Sequence, residues 1–303
     1  MTGSPPLRLG TRGSTLARLQ SGLVADALRR LGVEVELVTV VTAGDTRPPD
    51  TAWGEGAFVG ALELALREDR VDLAVHSAKD VPIEPEVALV AAAYPPREDP
   101  RDALVGSVGV ALAALADLPA GSRVGTDSPR RSGFLRAARP DLVVVPLHGN
   151  VDTRLARLDR GEVDALVLAA AGLRRLGRAE RISAILEPAV VAPAPGQGAL
   201  AVQVRAADER TRSLVAGLDD AATRLAVTAE RAVLAATGGG CRAPLGALAR
   251  VVDGDLDLLA AAVEPDGWRF RLERRIAPLT ESAALAAAVA EALLAAGPVG
   301  AGT

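Results

Sequence analysis

The stretch VDLAVHSAKD, residues 71–80, decides the fold. Apart from Asp72, Val71 to Val75 is apolar and lacks the alternation of a half-exposed strand, as expected of a strand buried on both faces. It breaks off into His76, Ser77, Lys79 and Asp80, just before Pro82. In open α/β sheets ligands gather at the carboxyl ends of strands, so these polar side chains are candidates to face a cleft, against the plainer alternative of a solvated turn.

Working outward, the same grammar repeats. Leu7 to Thr11 reads as a strand, Leu16, Leu19, Leu23, Ala27 and Leu31 recur at helical spacing, and Val33 to Val41 is a β-branched strand run. This is a βαβ opening. Phe58, Val59, Leu62 and Leu66 share one face of the next helix, and a strand is expected near 87–92. YPPREDPRD (94–102) has the composition of a hinge and marks a domain boundary. The pattern then restarts with RVGT as a strand, a helix over 128–139, LVVVPLHG as a strand, a helix over 153–160 and DALVLAAAGL as another strand. PAPGQG (193–198) punctuates the block as a crossover or second hinge. Two such halves predict two α/β domains with a cleft between them. Beyond Leu218 the texture changes to a helix over 221–236, strands turning at DGD (253–255) and PDG (265–267), and a closing helix over 281–296. In WRFRLER, Trp268, Phe270 and Leu272 alternate with Arg269, Arg271 and Glu273, the period of a half-exposed antiparallel strand, so this part reads as a small α+β domain.

Composition narrows the function. Of 34 basic residues only Lys79 is lysine, Asn150 is the single asparagine, and Cys241 the single cysteine. A chain this biased keeps such residues where something resists replacement. One thiol excludes an internal disulfide, and with only two histidines the chain is poorly equipped for a metal, so none is expected. The net charge of -4 argues against a general nucleic-acid binder. No apolar run reaches the roughly 18 residues of a spanning helix. The first residues lack the apolar segment of a secretory signal, so a cytoplasmic location is expected.

Three further strand ends carry chemistry. In VGTDSPRRSGFL (124–135), Thr126 and Ser128 lie between strand and helix, with Arg130 and Arg131 in the first helical turn. Hydroxyls and free N–H groups at a helix N-terminus bind anions, and adjacent arginines add bidentate carboxylate binding. TRGST (11–15) supplies Arg12 and Ser14, and LHGNVDTR (147–154) supplies His148, Asn150, Thr153 and Arg154. Together they describe a site for a polyanionic organic ligand. A nucleotide cradle is disfavoured because no P-loop or dinucleotide fingerprint is present. Cys241, in TGGGCRAPLG (237–246), is a packing residue or a reactive thiol; its glycines and Arg242 favour an accessible thiol beside positive charge.

In order and spacing, LGTRGSTLA, VTAGD, AVHSAKDVP, REDPRDALV, VGTDSPRR, GNVDTRL, LAAAGLRRLG, PAPGQGALAV, VTAERA and GGGCRAPLGA resemble the porphobilinogen deaminase (hydroxymethylbilane synthase) family over nearly the entire chain. The resemblance implies two periplasmic-binding-protein-like domains plus a small C-terminal α+β domain: 1–96 with about 193–216, then 97–192, then 217–303. It implies a transferase that condenses four porphobilinogen molecules head to tail, releasing ammonia, with a dipyrromethane cofactor in thioether linkage to Cys241 as primer. Loss of ammonia creates an electrophilic azafulvene, and the attacking ring must later shed a proton, so a fixed carboxylate is needed. Asp80 matches that catalytic aspartate. Lys79, Ser77, Thr126, Ser128, Arg130, Arg131, Asn150 and Arg154 match cofactor-binding positions, and Arg12, Ser14, Gln197 and His148 match contacts to substrate or growing chain. A monomer without nucleic-acid or membrane partners is expected.

Two departures stand out. His148 occupies a position where many relatives carry arginine, so its charge is conditional and activity is expected to fall more steeply above neutral pH. Glu55 replaces a basic residue in the loop before Phe58. A solute-binding or effector-sensing protein on the same scaffold, which would need neither Asp80 nor Cys241, is the main rival reading. A decayed paralogue that keeps the cofactor with little turnover is a weaker one.

Overall fold

A computed structural model describes residues 5–41, 59–83, 86–109, 112–240, 243–295, 297 and 299. The chain divides into two compact units, Met1–Arg97 with Ala199–Arg224, and Glu98–Gly198 with Leu225–Thr303.

The first unit is built on β1 (Leu7–Thr11), α1 (Thr15–Arg30), β2 (Val35–Thr39), α2 (Gly60–Arg67), β3 (Leu73–Ser77) and β4 (Leu89–Ala93). The second opens with β5 (Asp102–Gly106), β6 (Arg123–Gly125), α3 (Pro129–Ala138), β7 (Val143–Val145), α4 (Val151–Asp159), β8 (Ala165–Ala169), α5 (Ala170–Arg175) and β9 (Ala184–Ile185). The chain then returns to the first unit with β10 (Leu200–Arg205), α6 (Glu209–Val215) and the start of α7 (Ala221–Ala236). It finishes in the second unit with β11 (Leu245–Val252), β12 (Asp255–Ala262), β13 (Arg271–Pro278) and α8 (Ser282–Ala295).

The two larger sheets share one topology. Their orders are β2-β1-β3-β10-β4 and β7-β6-β8-β5-β9, parallel for the first three strands, with an antiparallel strand inserted at the fourth place. In each case the inserted strand begins where the chain has just crossed from the other unit: β5 follows Arg97–Glu98, and β10 follows Gly198–Ala199. This exchange of strands is the periplasmic-binding-protein architecture that the family resemblance implied. The third sheet is an antiparallel meander, β11-β12-β13, against which α8 packs. Its first turn is two residues, Asp253 (φ 52°) and Gly254 (φ 89°), the left-handed pair required by a tight hairpin.

Burial explains the strand sequences. In the first unit Leu7, Leu9, Val24, Leu28, Leu73 and Val202 form one apolar layer, while Leu62, Leu66, Val71 and Ala74 form the other. Strands covered on both faces carry near-continuous apolar runs.

Three local expectations are corrected. The leucine spacing locates α1 but not its buried face: Leu19, Leu23 and Leu31 are exposed, and Gln20, Ser21, Val24, Ala25 and Leu28 face inward. Small side chains there let the helix lie close on the sheet, and Gln20 has a polar partner described below. Of DALVLAAAGL only Ala165–Ala169 is strand; the alanines after it open α5, consistent with their helix propensity. In WRFRLER the inside and outside are reversed. Trp268 is 76% exposed and Leu272 lies outward, whereas Arg271 runs beneath α8 and donates to Leu293 O at 2.7 Å, satisfying a C-terminal helix carbonyl.

Candidate active site

In the first unit, β3 delivers the polar cluster. His76 is still within the core: its Nε2 lies 3.1 Å from Gln203 Oε1, and the Gln203 amide donates to Glu63 Oε1 at 3.0 Å. That chain of donors assigns the Nε2–H tautomer, and burial lowers the His76 pKa to about 4, opposed by the Gln203 bond. His76 is therefore a neutral structural group at pH 7. Ser77, at the strand end, accepts from Gln20 Nε2 at 3.2 Å. A single 3-10 turn, Ala78–Asp80, then turns Lys79 and Asp80 out of the sheet.

Asp80 is exposed by area, yet loss of hydration raises its pKa, with the charges of Lys79 and Arg12 pulling the other way. Among the described residues no hydrogen bond or ion pair holds its carboxylate. Such a group keeps access to a ligand while favouring its protonated form more than an ordinary aspartate does. Arg12 follows β1, and Ser14 caps α1 by accepting from Ala17 N at 3.4 Å.

In the second unit the equivalent strand ends carry arginines. Ser128 caps α3, accepting from Arg131 N at 3.4 Å, and its own N–H donates to Thr126 Oγ1 at 3.3 Å. A hydroxyl that accepts in a cap still has its proton to donate. Asn150 caps α4, accepting from Thr153 N and from Thr153 Oγ1, each at 2.9 Å. Arg154 donates Nε to Gly149 O at 2.8 Å; burial and the neighbouring charge of Arg131 lower its pKa to about 10, while Asp127 counteracts them. Two guanidiniums that repel each other at the head of a helix pair are a site wanting an anion. His148 Nδ1 lies 2.9 Å from Asp127 Oδ1 without an aligned hydrogen bond.

Arg130 and Arg131 are more enclosed than the sequence implied. Both pair with the fully buried Asp102, Arg130 Nη1 at 2.8 Å from Oδ2 and Arg131 Nη2 at 2.8 Å from Oδ1. Burial pushes the Asp102 pKa up, but the two guanidiniums outweigh it and hold the carboxyl far below the usual range. Arg130 Nη1 also donates to Ala192 O. Gln197 is fully buried. Sequence reasoning passed over Gln20, which partners Ser77, and Arg175, whose Nη2 donates to Gly198 O at 2.6 Å. A glutamine inside a leucine stripe was the available signal for the first.

Cys241, Arg242, Glu55 and the VTAGD segment from Thr42 onward lie outside the described residues. Among the described residues no group of three His, Cys, Asp or Glu is arranged to hold a metal, and no helix is long and apolar enough to cross a membrane.

Fold and side chains define a class: an α/β protein of periplasmic-binding-protein architecture, with clustered arginines at the strand ends of the second unit and an aspartate of raised pKa at a strand end of the first. Family comparison specifies the chemistry. Residues 7–213 match the model "Porphobilinogen deaminase, dipyromethane cofactor binding domain", and residues 224–295 match "Porphobilinogen deaminase, C-terminal domain". The chain is 52% identical to the porphobilinogen deaminase of Acidothermus cellulolyticus, covering 86% of this chain and 80% of that one. It is 48% identical to that of Nocardia farcinica (97% and 86% covered) and 49% identical to that of Roseiflexus castenholzii (96% and 96%). Among solved structures, the methionine-binding protein MetQ superposes with a TM-score of 0.45 at 14% identity, over 70% of this chain and 89% of that one.

The chain belongs to the porphobilinogen deaminase family. It is a transferase of tetrapyrrole and haem biosynthesis that polymerises porphobilinogen into hydroxymethylbilane on a dipyrromethane cofactor. The arginine cluster fits that cofactor, whose pyrroles carry carboxylates. The solute-binding reading falls with this assignment.

Proposed function

We propose that Asp80 is the catalytic residue of this polymerisation. The observation that carries the reading is a carboxyl of raised pKa, unheld by described partners, at a strand end beside Lys79 and Arg12. In that position Asp80 hydrogen-bonds pyrrole N–H groups, stabilises the positive charge that develops as ammonia leaves, and takes the proton that the attacking ring sheds. Dipyrromethane, when bound, supplies the nucleophilic pyrrole carbon to which the first porphobilinogen is joined.

The remaining residues act on carboxylates. Lys79, Arg131 and Arg154 hold those of the cofactor, assisted by the hydroxyls of Ser77, Thr126 and Ser128; Asn150 orders α4 so that Arg154 is presented. Arg12 and His148 take substrate or chain carboxylates, with Ser14 fixing the turn that carries Arg12. Arg130 acts chiefly through Asp102. Cys241 forms the thioether that anchors the cofactor. The third sheet with α7 and α8 forms a separate C-terminal domain that brings this cysteine to the site. The protein acts as a cytoplasmic monomer without a nucleic-acid partner, the last point supported by its net charge of -4.

Intact mass spectrometry of protein made in cells competent for porphobilinogen synthesis tests the anchor. Wild type is expected to carry one covalent dipyrromethane, and Cys241→Ser none. An unmodified wild type that consumes no porphobilinogen contradicts the reading, and a modified wild type without turnover revives the decayed paralogue.

A further inference from the structure

Gln197, matched above to a substrate or chain contact, has no exposed surface, and its amide works inside the second unit. Nε2 donates to Pro100 O at 2.7 Å and to Asp102 Oδ1 at 2.9 Å, and Oε1 lies 3.5 Å from Arg131 Nη2. Asp102 Oδ1 in turn accepts from Arg131 Nε at 3.1 Å and Nη2 at 2.8 Å. The Arg131 guanidinium is thus gripped along its Nε–Nη2 edge, and no described residue accepts from Nη1.

The grip is itself held in place. Pro100 lies on the first crossing segment and Gln197 on the second. Gly196 N donates to the buried Glu230 Oε2 at 2.7 Å, and Ala249 N to Oε1 at 2.8 Å, which ties the second segment to α7 and β11. The segments touch so closely that a Cβ at Gly198 (φ +87°) would lie 2.3 Å from Glu98 O. Gln197 therefore has little freedom to turn towards a ligand, whereas Arg131 has one edge fixed and the other available. An arginine pre-set in this way loses little rotamer freedom on binding.

We propose that Gln197 and Asp102 are positioning residues for the anion site: they clamp one edge of Arg131 and present its Nη1 edge to a carboxylate of the dipyrromethane cofactor, the primer onto which each porphobilinogen is joined. The inference rests on the reading above that Arg131 contacts such a carboxylate. In the holoenzyme, Gln197→Met, similar in length without the amide, is expected to raise KM for porphobilinogen roughly tenfold with kcat within about twofold. In an Arg131→Lys background, where the planar fork is gone, the same substitution should add less than about twofold.

An unchanged KM for Gln197→Met overturns the proposal. So does an effect that multiplies in full with Arg131→Lys, which would mark Gln197 as an independent ligand contact. If Arg131→Lys alone leaves KM unchanged, the carboxylate contact at Arg131 is lost, and the positioning role with it. Should Gln197→Met fail to fold, Gln197→Glu takes its place with the same readouts, because it keeps the length but loses both donated bonds.

Discussion

Asp80 and Asp102 are two aspartates at strand ends, each beside two cations, whose proton affinities move in opposite directions. Asp102 starts β5 with Oδ1 accepting from Arg131 and Gln197, Oδ2 in charge contact with Arg130, and no surface exposed. Asp80 follows β3 in a short turn, feels Lys79 and Arg12 only through their charge, and stays accessible. The presence of two cations does not by itself decide the outcome. At Asp102 the charges of two guanidiniums in direct contact, with donors aligned on Oδ1, outweigh its lost water, whereas at Asp80 the charges of Lys79 and Arg12 alone do not. The second unit uses its aspartate to hold structure, and the first leaves one poorly compensated, as a proton-transferring group requires.

The most severe break of this contrast is Asp80→Asn, expected to lower turnover by roughly 10²–10⁴-fold, the usual range for a lost acid–base group. Its stability should move the other way. A folded-state pKa raised above the unfolded value gives stability that is fully present below the unfolded pKa and lost as pH rises through the folded one. Near neutral pH wild type therefore bears a desolvation cost that asparagine removes, and thermal unfolding should show the variant at least as stable, with the difference vanishing in acid. Asp102→Asn is the mirror image: a loss of about 3–5 kcal/mol at neutral pH from two uncompensated guanidiniums. Because the native pKa of Asp102 is depressed, that deficit is fully present above the ordinary aspartate pKa and should shrink progressively as pH falls below it towards the folded-state value. Denaturant titrations of wild type and variant across pH check both signs.

His76 sharpens the comparison from the side of a base. Its pKa falls from 6.5 to about 4, so the unfolded chain binds more protons between those values and wild type should lose on the order of 3 kcal/mol on acidification through that window. His76→Gln should flatten this part of the stability profile while leaving turnover at neutral pH within a few-fold. A large loss of turnover would move His76 from the core into the chemistry.

Much of this was legible in the sequence because it is local. The break from apolar strand to HSAKD, the hydroxyls ahead of α3, and the proline-rich hinge can each be read within a ten-residue window. What escaped depends on distant partners. Asp102 meets Arg131 across 29 positions and Gln197 across 95, so nothing near the SPRR motif shows that its arginines are buried. The inserted strands β5 and β10 carry ordinary apolar runs, and only pairing reveals their antiparallel place. The leucine stripe of α1 gave the period and missed the face, because Gln20 answers to Ser77, 57 positions away.

The division of labour between the two aspartates is tested most directly by mixing holoenzyme of Asp80→Asn with porphobilinogen and following intact protein mass over time, beside wild type and Asp102→Asn. Wild type, and Asp102→Asn at a temperature where it is folded, should show a ladder of added pyrrole units, while Asp80→Asn should stay at the mass of the cofactor-loaded protein. A ladder that grows in Asp80→Asn at the wild-type rate would contradict the assignment of Asp80 as the residue that moves the proton.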